Sequence, residues 1–185
     1  MRYLTILLIA AGLFTLQGCA GTAGARAGAN TTDLYSAGTQ LDDDNIEKKA
    51  TARIYEKHKG NAQVTVTSHN RAVLLTGEVI GADTKTKIER IIYSVPGVKK
   101  INNLIVEGAL ASSTSRRTDA FITNSIKNEI TKNKSVNAGV IRIVTDKGNV
   151  YLMGLVTRAE ANAASETASA IPGVLKVVRI FDYID

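Results

Sequence analysis

The chain contains one cysteine, no tryptophan, two prolines and two histidines in 185 residues. A single cysteine excludes an intramolecular disulfide, and with only two imidazoles beside it no Cys/His set can hold a zinc ion. Aromatic residues make up 5% of the sequence, so any core must be aliphatic. No Gly-rich phosphate loop occurs, and no serine has an ordered His/Asp companion pattern. The chain is therefore expected to be no enzyme, with no cofactor, no metal and no small-molecule substrate. Blocks of Lys and Arg interleaved with aromatics are missing too, which argues against a nucleic-acid partner. The formal charge of +6 is mild, and it suits attraction to anionic surfaces.

The N-terminus carries the first positive signal. Met1 and Arg2 give a short basic start, Tyr3 to Leu16 form an apolar run, and Leu16-Gln17-Gly18-Cys19 follows. That run is short for a bilayer span and has the flanks of an export signal. Small Gly18 ahead of Cys19 is what a lipoprotein signal peptidase accepts, and the tetrapeptide resembles a bacterial lipobox. Residues 1–18 are read as a signal peptide and Cys19 as the lipid-bearing N-terminus. Residue 20 is Ala rather than Asp, which by resemblance implies an outer-membrane anchor facing the periplasm. Residues 19–41 are rich in Gly, Ala, Thr and Ser, and are expected to form a flexible tether.

Beyond the tether one unit is written twice. Val73-Leu74-Leu75-Thr76-Gly77-Glu78-Val79 recurs 77 positions later as Val150-Tyr151-Leu152-Met153-Gly154-Leu155-Val156. Val95-Pro96-Gly97-Val98 and Ile46/Ala50/Ile54 recur 76 positions later as Ile171-Pro172-Gly173-Val174 and Ile122/Ile126/Ile130. A period that long is a tandem domain rather than a solenoid repeat. Each copy reads as helix, strand, strand, helix, strand. Asp42-Asp43-Asp44 suit a helix N-terminus. Alternation of Val64 and Val66 marks a half-buried strand, and Asp146-Lys147-Gly148-Asn149 marks a hairpin turn. Pro96-Gly97 and Pro172-Gly173 stop the second helix of each copy. The expected fold class is α+β: two tandem αββαβ domains, 42–107 and 118–185, joined by a linker at 108–117. Each would be a three-stranded mixed sheet covered by two helices.

Two units of that order, each with a mid-strand glycine (Gly77, Gly154) and a closing Gly-Val (Gly97-Val98, Gly173-Val174), resemble BON domains. With the lipobox, Ser36-Ala37-Gly38-Thr39-Gln40 and Val150 to Thr157, the chain resembles the dual-BON outer-membrane lipoprotein family. That resemblance implies binding of anionic phospholipid or of periplasmic partners, without enzymatic activity. It also implies support of outer-membrane integrity, including at division sites.

The residues that carry a more local expectation lie where the copies differ. The first helix of copy two is expected to start at Asp119, with Ile122, Ile126 and Ile130 as its core stripe. Phe121 then lies about 100° round the helix, beside Ser125, Asn128 and Lys132. Arg116 and Arg117 precede it, and Lys127 follows. An apolar wedge among cations is what a peripheral membrane contact needs. The 76-residue register puts Asn45 at the place of Phe121. The candidate lipid-binding set is therefore Phe121, Arg116, Arg117, Ser125, Lys127, Asn128 and Lys132. Two other readings stand beside it: Phe121 packs on the other domain or staples its own helix entry, and sheet edges make the chain an adaptor for an envelope protein complex. His58 and His69 are expected to be solvated. Gly77 and Gly154 are expected to mark bulges or close backbone packing.

Overall fold

Helix α1 (Ala37–His58) begins the described part of the chain, residues 36–185 of a computed structural model. The signal peptide, Cys19 and tether residues 20–35 lie outside the described residues. Ser36 caps α1, its hydroxyl accepting the Thr39 N–H at 3.3 Å and so satisfying one of the open donors of the first turn. The helix thus starts ahead of the aspartates, and residues 37–41, expected in the tether, are helical. Asp42, Asp43 and Asp44 sit in the second turn and cap nothing.

Strands β1 (Ala62–His69) and β2 (Ala72–Val79) pair antiparallel in an unbroken register from Ala62↔Val79 to His69↔Ala72. Asn70 and Arg71 make the two-residue turn at φ of +50° and +64°, the left-handed conformation that matches strand twist. Asp43 explains how two non-glycine residues are held there. Its buried carboxylate accepts the Asn70 N–H at 2.7 Å, the Arg71 N–H at 2.8 Å and the Ser68 hydroxyl at 2.6 Å. Asp42 meanwhile pairs with the Arg71 guanidinium.

Helix α2 (Ala82–Tyr93) buries Ile88, Ile91 and Ile92. The third strand of the sheet is broken into β3 (Lys100–Asn103) and β4 (Val106–Glu107), both parallel to β2. Here the expected three-strand count needs revision. The Asn103 side chain accepts the Ile105 N–H at 3.3 Å, a local turn that competes with the ladder.

Copy two repeats the plan. Helix α3 (Ser113–Lys132) is capped by Ser112, which accepts the Ser115 N–H at 3.1 Å. It starts six residues before Asp119, so the second half of the expected linker is helix. A 3-10 turn (Ala138–Val140) leads to β5 (Ile141–Asp146), β6 (Asn149–Val156), α4 (Arg158–Ser169) and β7 (Lys176–Tyr183). The sheet order is β5-β6-β7, antiparallel then parallel. Asp119 does what Asp43 does, accepting the Lys147 and Gly148 N–H groups of the turn at 2.9 Å each. Gly77 and Gly154 mark close packing rather than bulges, because the β1–β2 register continues unbroken across Gly77 and the β6–β7 register across Gly154. A Cβ on Gly77 would stand 2.0 Å from the Gln63 carbonyl oxygen, and one on Gly154 would stand 2.4 Å from that of Val140.

Each domain has its own aliphatic core between sheet and helices. Ile46, Ala50 and Ile54 meet Val73, Leu75 and Val79 in the first. Ile122, Ile126 and Ile130 meet Val150, Leu152, Ala161, Ala164 and Ala168 in the second. A third cluster joins them: Leu74 of β2 packs with Tyr151 and Met153 of β6, flanked by Val144, Val178 and Ile180. The helix-free faces of the two sheets therefore cover one another, and every residue of β2 is buried.

Candidate functional site

Phe121 is 70% exposed, so it neither packs on the first domain nor staples its helix. One position on, Ile122 is buried in the core with Ile126 and Ile130. With about 100° per residue, Arg117, Ser125, Asn128 and Lys132 all fall within roughly 40° of Phe121 round the helix. Arg116 and Lys127 do not. They lie about 140° and 120° away from it. Arg116 instead donates to the Ala111 carbonyl at 2.9 Å and lines the crevice between the domains with Gln63 and Asp146. Lys127 lines a separate depression with Arg142 and Ile130. Of the two cations on the Phe121 face, Lys132 pairs with Glu129 at 2.7 Å across exposed side chains. Such a pair is worth little and yields readily to a stronger anion. Arg117 stands exposed near the helix start.

A second apolar residue belongs with this end of the domain. Leu175 is 78% exposed. Its N–H donates to the Gly148 carbonyl at 2.9 Å, which fixes it over the hairpin turn that Asp119 pins. It borders a shallow groove lined by Ser115, Thr118, Asp119 and Ile122, which lie about 60° to 160° round α3 from Phe121. The backbone can pass so close because residue 173 is glycine, where a Cβ would meet the Ile122 side chain at 3.1 Å. The signal for Leu175 was present in the repeat: the matching position in copy one is Lys99.

The crevice between the domains gathers charge but closes on itself. Lys147 Nζ pairs with the buried Glu78 carboxylate at 2.7 Å and also donates to the Ala109 carbonyl at 3.3 Å. The other Glu78 oxygen accepts the Ala111 N–H at 3.1 Å, and Asp146 accepts the Gly77 N–H at 3.1 Å. Burial, with Glu78 and Asp119 nearby, pushes the Asp146 carboxyl above its ordinary range. A further pair, Lys100 with Asp182 at 3.6 Å, joins the sheets. These contacts latch one domain to the other.

His69 corrects an expectation. It ends β1 on the side facing the second domain and is only 4% exposed. Burial pushes its imidazole below 6.5, Arg142 adds to that, and Asp43 and Asp182 oppose it. Among the described residues, no group of three or more His, Cys, Asp or Glu side chains is placed to hold a metal ion, and no helix is long and apolar enough to cross a membrane.

Known proteins resemble the chain along nearly its whole length. The BON domain family matches it twice, over residues 42–109 and 118–183. The outer membrane lipoprotein DolP of Haemophilus influenzae is 33% identical over 184 residues, covering 97% of this chain and 95% of that protein. A protein of Actinobacillus pleuropneumoniae named 21 kDa hemolysin is 30% identical over 154 residues, 82% of this chain and 79% of its own. Among solved structures, CdsD, a structural protein of the Chlamydia trachomatis type III secretion system, aligns with a TM-score of 0.32 at 10% identity, over 76% of this chain and 91% of that one.

Proposed function

The chain belongs to the BON-domain family and to its outer-membrane lipoproteins, and on that premise we propose that its second domain reads anionic phospholipid through the Phe121 face. Acyl chains on Cys19 hold the protein at the periplasmic leaflet of the outer membrane. The domain then touches the headgroups with Phe121 and Leu175 as apolar wedges and with Arg117 and Lys132 as cations, Ser125 and Asn128 lying between them. The observation that carries this reading is Phe121 itself, a large aromatic 70% exposed on a helix whose other large apolar residues are buried.

The magnitudes suit a selector rather than an anchor. Burying Phe121 and Leu175 contributes about 2 kcal/mol each, and each cation near an anionic leaflet about 1 kcal/mol. Set against the cost of association, that gross gain supports weak and reversible contact. The lipid anchor raises its effective concentration, so a weak preference sorts the protein among membrane regions. This role extends to outer-membrane integrity and cell division, as the family resemblance implies.

Flotation of residues 20–185 with liposomes, with and without anionic phospholipid, tests the reading. The fragment is expected to float only with anionic lipid, and less as salt rises. Phe121→Ala removes about 2 kcal/mol and so weakens partition roughly 30-fold; Leu175→Ala acts in the same direction. If the fragment stays at the bottom with every lipid, Cys19 is the only membrane contact and the protein acts as an adaptor for an envelope complex.

A further inference from the structure

The duplication places matching positions 76 residues apart, so each copy serves as a reference for the other. At the end of the first domain away from its hairpin turn, a groove of about 410 Å³ runs between the last turn of α1 and helix α2. Lys57 and His58 form one wall, Lys87, Arg90 and Ser94 the other, and buried Ile91 the floor. Arg53, one turn earlier on α1, reaches across and donates to the Ser94 carbonyl at 3.0 Å and its hydroxyl at 2.9 Å. That contact ties the two helices together at the rim.

No carboxylate lines the groove. Lys87 has Asp83 at 3.9 Å on its own helix, but both side chains are exposed and such a contact is worth little. Glu89 is held by the Asn103 amide at 2.8 Å, and Glu56 is exposed and does not line the groove. The walls act on one another: burial first, then Lys87 and Lys57, push the His58 imidazole below its ordinary value.

Helix macrodipoles account for part of this set. Lys57, His58 and Arg90 are in the last turns of α1 and α2, where cations are favoured. Lys87 and Arg53 are not. Copy two keeps only part of the set: α3 has Lys132 in its last turn and Lys134 stands at the position of His58, while α4 has no basic residue in its last turn. There the positions of Arg53, Lys57, Lys87 and Arg90 are held by Glu129, Asn133, Ala163 and Glu166. Asn133 closes onto Thr167 through a neutral hydrogen bond of 3.2 Å. The same fold therefore stands without these cations, and with carboxylates in place of two of them.

We infer that the α1–α2 groove of the first domain is a binding site for a multiply charged phosphate group, held by Lys57, Lys87 and Arg90. Several cations converging on one groove exceed what a single carboxylate requires. The Arg90 fork matches two phosphate oxygens, while the lysines supply compact charge. A lipid phosphomonoester and a free polyphosphate share that chemistry. The copies then divide labour, an apolar wedge on the second and an anion cradle on the first.

The test is calorimetric titration of the full mature chain in nonionic detergent, at constant ionic strength. The probes are inorganic pyrophosphate, monomeric short-chain phosphatidic acid and a polyglutamate peptide. Saturable pyrophosphate binding is expected, weakened at least tenfold by Lys87→Ala with Arg90→Glu, the residues copy two carries, and unchanged by Phe121→Ala. Tighter binding of phosphatidic acid than of pyrophosphate, measured with Phe121→Ala in place and lost in the double variant, assigns the site to a lipid headgroup, and the reverse order to a soluble ligand. An unfolding midpoint equal to that of the parent shows that the double variant folds; if it is lower, Lys57→Ala repeats the measurement. The inference is overturned by absence of saturable heat with both phosphate probes, by a double variant that binds as well as the parent, or by polyglutamate competing as well as pyrophosphate.

Discussion

Replacing Asp119 by Ala tests whether one buried carboxylate holds the functional end of the second domain together. Asp119 is buried in α3 and accepts the turn N–H groups of Lys147 and Gly148 at 2.9 Å each. Bonds to a charged acceptor contribute roughly 1.5 to 3 kcal/mol each. The Gly148 bond is fully buried while the Lys147 bond is partly open, so water recovers some of the second loss. Removing Asp119 also relieves repulsion on Asp146, which offsets a little of the cost. The net loss is therefore about 3 kcal/mol, which for a latched two-domain unit of this size lowers the melting temperature by roughly 6–12 °C. Asp119→Asn retains one acceptor oxygen and should recover about half of that. Urea unfolding of the three proteins, followed by circular dichroism, gives the numbers. A loss below about 0.5 kcal/mol for the alanine variant would mean that the turn holds its left-handed conformation unaided, and the reasoning fails. Lipid binding supplies a second readout, because the turn Asp119 pins also carries Leu175 through the Gly148 carbonyl.

Two further perturbations probe different physics. His69 has its pKa lowered by burial, so in the window below 6.5 the unfolded chain takes up a proton that the folded chain refuses. Its stabilising contribution is full above 6.5 and falls as pH drops toward the folded value; His69→Gln should remove that slope from urea midpoints compared at roughly pH 7.5 and 5.5, and an unchanged slope refutes it. Gly77→Ala forces a Cβ to within 2.0 Å of the Gln63 carbonyl oxygen, whereas Gly60, with a similar left-handed φ of +89°, faces open space. Gly60→Ala should cost about 1 kcal/mol and Gly77→Ala about 3 kcal/mol or more; equal losses would rule out the steric account.

The αββαβ order was legible because hydrophobic period, turn residues and Pro-Gly stops all agree twice over, at offsets of 76 and 77 residues. The helix starts were misread for a physical reason. An aspartate ahead of an apolar stripe looks like a cap, yet Asp43 and Asp119 are turned inward to a hairpin distant in sequence. Serine caps at Ser36 and Ser112 lie in stretches whose small residues look like linker. The sheet-on-sheet contact left a trace that alternation arguments pass over. Val73-Leu74-Leu75 and Val150-Tyr151-Leu152-Met153 are continuous apolar runs, the pattern of strands buried on both faces. Phe121 was legible because one helix shows its own period. The dissent of Arg116 was not, since it depends on which domain the helix faces; Leu175 left only its difference from Lys99, which does not say where its loop lies.

What differs between the copies follows from what the shared fold leaves free. Asp43 and Asp119 each satisfy the backbone of a left-handed turn, and Gly77 and Gly154 each allow a neighbouring carbonyl to come close. A change at any of them carries a direct energetic cost, and the copies agree there. Because the helix-free faces are spent on each other, new surface chemistry can arise only on the helical sides and the loops beside them. That is where the copies part: Asn45 against Phe121, Lys99 against Leu175, Arg90 against Glu166. Each of those substitutions lies on an exposed position, so it alters binding with little change in folding stability. The latch through Glu78, Lys147 and Asp146 then acquires a functional meaning. It fixes the angle between the wedge on α3 and the cationic groove beside α2, so that a contact made by one domain restricts what the other can reach.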